Sequence, residues 1–115
     1  MNAYEMKFRN MTIVPKTDMT GKRYTGITID STGAGVVPSA GGLIVGILQE
    51  PNNIGEPAQV TVAGVSFGIL GGTVNAGDAV EVTAAGKFIA LATGKPVGIC
   101  MVGGSADDIG SILLK

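Results

Sequence analysis

Ala79-Val80-Glu81-Val82-Thr83, then Ala84-Ala85-Gly86-Lys87, then Phe88-Ile89-Ala90-Leu91-Ala92 is the stretch that decides the fold. An alternating run, a small-residue turn with glycine and a returning apolar run together spell a β-hairpin. Alternation places Val80 and Val82 on an inward face and Glu81 on the outward one. Working outward, the same grammar recurs. Residues 25–30 alternate, Leu43 to Gln49 is an apolar strand, and Val97 to Val102 and Ile109 to Leu114 close the chain. Pro51-Asn52-Asn53-Ile54-Gly55-Glu56-Pro57 is the clearest turn. Ala58 to Ala63 reads as a strand, Gly64 as its turn, and Val65 to Leu70 as the return. That second hairpin echoes the first, either by duplication or through the common wording of hairpins.

Three strands share one phrase: Val45-Gly46-Ile47-Leu48, Phe67-Gly68-Ile69-Leu70 and Val97-Gly98-Ile99-Cys100. A glycine inside an apolar run marks a bend or a close approach of backbones. Barrel curvature and close packing both fit. No segment offers ten residues at helical spacing, and strands recur every 8–12 residues or so. The expectation is an all-β chain: a single small β-barrel or β-tulip-like domain, residues 25–115, preceded by an extended N-terminal arm, residues 1–24.

Composition supports this and excludes much else. The chain has 115 residues, within the usual size of one domain, and its 19 glycines are about twice ordinary usage. Aromatics are five: Tyr4, Phe8, Tyr24, Phe67 and Phe88. The two phenylalanines of the body sit in apolar runs and read as core. Cys100 is the single cysteine and there is no histidine, so a disulfide within the chain, a Ser-His-Asp triad and the usual zinc sites are excluded. Cys100 reads as a small buried residue. Asp107-Asp108 is the one adjacent acidic pair, and a solvated turn accounts for it; a calcium site would need more ligands nearby. Gly94-Lys95-Pro96 puts proline where a phosphate loop needs a hydroxyl. Lys87 after Gly86 lacks the flanking residues of a biotinyl or lipoyl attachment site. No cofactor, no metal and no enzymatic activity are expected. Residues 1–15 hold no secretory signal, and no run reaches the roughly 18 apolar residues of a membrane span.

Charge is uneven. Residues 1–24 carry Lys7, Arg9, Lys16, Lys22 and Arg23 against Glu5 and Asp18, a net of +3. The remainder carries a net of −4. An acidic body argues against direct nucleic-acid binding. The leader also holds four of the five methionines and one of the 19 glycines. Tyr4, Met6 and Phe8 alternate with Glu5, Lys7 and Arg9, which is strand periodicity.

Residues 32–48 (Thr-Gly-Ala-Gly-Val-Val-Pro-Ser-Ala-Gly-Gly-Leu-Ile-Val-Gly-Ile-Leu), followed by Gly77-Asp78-Ala79-Val80, Gly86-Lys87, Gly94-Lys95-Pro96-Val97-Gly98-Ile99 and Ala106-Asp107-Asp108-Ile109, resemble two related groups. These are bacteriophage capsid decoration (cement) proteins and the capsid-binding base of phage head-fibre proteins. The likeness spans about residues 25–115 and rests on the order of the motifs. It implies a β-barrel-like structural virion protein, often a homotrimer, on the outer capsid surface. The implied partner is the major capsid protein lattice, with no membrane and no nucleic acid involved. Such a protein is made in the host cytoplasm. A head-fibre protein would continue into a fibre, so the chain as given fits a decoration protein or a base cut short. The leader carries the expected contacts: Tyr4, Met6, Phe8, Met11 and Ile13 as apolar groups, and Lys7, Arg9, Lys16 and Arg23 for charge matching. On this reading, removing residues 1–20 leaves the body folded. The alternative is a β-module of a phage tail or head fibre that binds a partner protein or a carbohydrate.

Overall fold

A computed structural model describes residues 3, 5–50, 54 and 56–114, with Lys7 and Phe8 described in their backbone only. Among these residues there is no helix, and nine strands form one curled antiparallel sheet, a half-barrel. The strands are β1 (Met6–Ile13), β2 (Gly26–Ile29), β3 (Gly35–Val36), β4 (Gly46–Glu50), β5 (Ala58–Ile69), β6 (Ala79–Val82), β7 (Phe88–Ala90), β8 (Gly98–Val102) and β9 (Ile109–Leu114). The main path runs β3-β2-β4-β5-β9-β8-β6-β7, with β1 on β5.

The long strand β5 organises everything else. Thr61 is paired with both Asn10 and Ile47, and Val65 with both Met6 and Leu113. A strand has two edges, so β1 lies along one edge of β5 while β4 and β9 divide the other. The expected hairpin at Gly64 is therefore corrected: β5 passes straight through it. Gly64 takes a φ of 95°, which glycine adopts without strain. Beside it the β1 register skips Phe8 and the β5 register skips Val62, a compensated pair of bulges. The echo between residues 60–67 and 80–88 is one of wording, since the first is a bulged strand and the second a true hairpin.

Two isolated parallel bridges draw the halves of the sheet inward. Pro15 bridges Gly35 at one end and Leu70 bridges Phe88 at the other. Two buried clusters form the core, and β4 contributes to both, Ile47 to one and Leu48 to the other. One holds Ile47, Leu70, Val80, Val82, Phe88, Cys100 and Ile112, among others; the second holds Ile13, Met19, Ile27, Leu48, Ala58 and Val60. Phe88, fully buried, is the largest side chain of the first, and burying a residue of that kind contributes about 1.5–3 kcal/mol. Phe67, expected in the core, is half-buried instead.

The repeated apolar-Gly-Ile phrase has a direct geometric cause. A Cβ on Gly46 would lie 2.3 Å from the Thr61 carbonyl oxygen, and one on Gly98 would lie 2.4 Å from that of Leu113. A Cβ on Gly68 would press on Ile112 and Phe88. The space above these glycines is filled by the chain's own neighbouring strands, so they serve close packing within the sheet.

Glu81 corrects a second expectation. It leaves the core face as alternation demands, yet it is only 6% exposed. Its carboxylate accepts hydrogen bonds from the backbone N–H groups of Ala92 and Gly94, and the loops carrying Gly41 and Gly94 pack over it.

Candidate partner-binding edge

The leader was expected to carry the contacts, and the structure sorts its residues into three groups. The first faces solvent. Met6 is 61% exposed and Met11 43%, and Arg9 is exposed beside them. Among the described strands, none pairs with the outer edge of β1 along Met6–Ile13. An unpaired edge offers backbone N–H and C=O groups to another strand. Its bulge near Phe8 and the charged Arg9 are features that discourage indiscriminate pairing.

The second group is committed to the fold. Ile13 is a correction: it is 4% exposed and packs in the core with Met19, which is fully buried. Strand pairing places Ile13 opposite Ala58, on the inner face. Lys16 forms an ion pair with Asp30 at 3.2 Å. The Nε of Arg23 donates to the Gln49 carbonyl at 2.9 Å, and its guanidinium sits 4.8 Å over the Tyr24 ring. Removing residues 1–20 would strip two core side chains, Ile13 and Met19, and the whole of β1, so a destabilised body is expected in place of an intact one.

The third group comprises Tyr4, which lies outside the described residues, and Lys7 and Phe8, whose side chains do.

Two residues that sequence reasoning passed over hold the edge in place. Glu5 accepts a hydrogen bond from the Phe67 backbone N–H at 3.1 Å, and the Ser66 hydroxyl lies 3.4 Å from the same oxygen. Asp30 accepts from the Thr32 hydroxyl at 2.6 Å and from the Thr32 and Ala34 N–H groups. The Thr32 hydrogen bonds first, and then Lys16, hold the Asp30 carboxyl far below the ordinary carboxylate range. Alternation in the leader was readable, but Glu5 with Ser66 and Phe67, and Lys16 with Asp30, join residues far apart in the chain.

The chemistry available is that of contact. Among the described residues, no group of three or more His, Cys, Asp or Glu side chains is placed to hold a metal ion. Cys100 is buried, and burial pushes its thiol pKa up, with a smaller push from Asp78. Asp107 pairs with Lys87 at 2.6 Å, and Asp108 accepts from the Ser105 N–H at 2.8 Å, so both belong to a turn.

A curled antiparallel half-barrel that leaves the outer edge of β1 unpaired among the described strands is the architecture these residues define. Among solved structures, it matches the head fibre N base of bacteriophage phi29 with a TM-score of 0.76. The match covers 93% of each chain at 11% sequence identity. The two proteins share a fold, which is the fold implied by the resemblance in the motifs. No protein-family model and no curated protein sequence matches this chain.

Proposed function

We propose that this chain is a non-catalytic structural protein of a phage head that binds the outer face of the capsid. The observation that carries the reading is a fold shared over nearly the whole length with a phage head-fibre base. The partner is the major capsid protein lattice, and the protein cements or decorates it. The free outer edge of β1, with exposed Met6, Arg9 and Met11, is the contact. An edge strand can extend a partner's sheet through main-chain hydrogen bonds while alternate side chains choose the partner. Methionine suits such a surface because its unbranched thioether adapts to irregular shapes.

The protein acts as a homotrimer. Three weak contacts joined in one particle gain from effective concentration. Co-sedimentation of the purified protein with capsids, before and after their expansion, tests the proposal. Saturable binding to expanded shells is expected, and no binding to either form would overturn it. The mass in solution, by sedimentation equilibrium, tests the trimer.

A further inference from the structure

Beyond the β1 edge, the geometry points to a second binding site: the open cleft lined by Ala3, Tyr24, Phe67, Asp107, Asp108 and Ile109, which we infer takes a neutral hexopyranose unit of a glycan. Its volume of about 540 Å³ lies in the range of small-molecule sites. Among the described residues, three aromatic side chains are placed: Tyr24, Phe67 and Phe88. Phe88 is sealed in the core, and the other two both line this cleft. Tyr24 and Phe67 meet edge to face, with ring centroids 5.3 Å apart and planes at 84°. Two perpendicular rings make a corner, and the ring surface that the Arg23 guanidinium leaves uncovered is where the apolar face of a sugar ring can rest. Ile109, 42% exposed, extends that apolar surface.

The backbone is bent to build this corner. Among the described residues, Tyr24 and Asp107 are the two non-glycine positions with positive φ, at 65° and 67°. Both line the cleft. A tyrosine in that region is uncommon, and here the bend is held from both sides. The Tyr24 N–H donates to the Leu48 carbonyl, and the Tyr24 carbonyl accepts from the Ile69 N–H.

The polar groups favour a neutral ligand over a cation. Asp107 already holds the Lys87 ammonium, and the Tyr24 ring already holds the Arg23 guanidinium. Two groups that would capture a basic side chain are thus occupied by the chain itself. What the cleft offers beside the aromatic corner is the acceptor oxygens of Asp107 and Asp108. That combination suits vicinal hydroxyls on an apolar ring.

The test uses the free, isotope-labelled protein and needs no capsid, so it fails or succeeds independently of the shell-binding proposal. Amide shifts are followed during titration with the methyl glycosides of glucose, galactose, mannose and N-acetylglucosamine, and separately with a tetra-arginine peptide. At least one glycoside is expected to shift the amides around Tyr24, Phe67 and Asp107–Ile109 saturably at millimolar concentration. Tyr24→Asn, which tolerates positive φ but removes the ring, is expected to weaken that binding about tenfold or more. The double variant Asp107→Asn and Asp108→Asn keeps the turn and is expected to weaken it while retaining the native spectrum. If no glycoside shifts these amides, or the arginine peptide does so at lower concentration than every glycoside, the inference is overturned.

Discussion

Ile13 stands opposite Ala58 in the β1–β5 ladder, and both side chains are buried, at 4% and 1% exposure. That pairing makes the leader a structural strand whose inner face serves the core and whose outer edge is left open. Truncating Ile13 to Ala empties part of the second core, at an expected cost of about 2–4 kcal/mol. Urea unfolding of the full chain checks this. A loss below about 1 kcal/mol would place Ile13 outside the core.

The close-approach glycines give a second contrast. Gly98→Ala forces a methyl against the Leu113 carbonyl oxygen and is expected to destabilise by about 1–3 kcal/mol, as overpacking does. Gly72→Ala is the control, because its Cβ would meet only Ile89 at 3.9 Å. It should be neutral or slightly stabilising, since it only reduces freedom in the unfolded chain. Denaturation midpoints of the two variants, measured side by side, distinguish them.

Glu81 ties the loop after β7 to the sheet. Glu81→Ala leaves the N–H groups of Ala92 and Gly94 without their acceptor. The expected loss is about 1–3 kcal/mol, with faster amide exchange at those two residues than at Val80 or Val82.

Asp30 predicts an acid dependence. Its carboxyl pKa lies below the ordinary value of 3.8 in the folded chain, so the unfolded state takes up the proton first as pH falls. Its contribution is fully present above that ordinary value and is lost as pH drops from there toward the folded value. The stability gap between the wild type and Asp30→Asn is therefore expected to be constant near neutrality and to shrink below about pH 4. Thermal melts across that range read it directly.

What the sequence revealed depended on whether the deciding contact was local. The hairpin at residues 79–90 was legible because Gly86 supplies the turn conformation, with a φ of 79°, within the same few residues. Gly64 carries the same local signal, but β1 and the β4–β9 pair hold both edges of β5, and the signal becomes a bulge. Alternation correctly sent Glu81 off the core face; it could not show that the Gly41 and Gly94 loops would cover it. Periodicity marked the leader as a strand, while its partner lay some fifty residues away, so the burial of Ile13 and Met19 was not readable. Tyr24 and Phe67 meet across a similar distance, which is why the cleft had no sequence signature.

The central claim is that the outer edge of β1 grips a capsid. Replacing Met6 and Met11 with Asp puts two charges on exposed positions of that edge and leaves Ile13, Lys16 and Arg23 untouched. Co-sedimentation of this double variant with expanded capsids, beside the wild type, is the most direct test. The account predicts a loss of binding of tenfold or more with an unchanged unfolding midpoint, a difference of about 1.4 kcal/mol or greater in binding. Wild-type binding by a folded variant would contradict it.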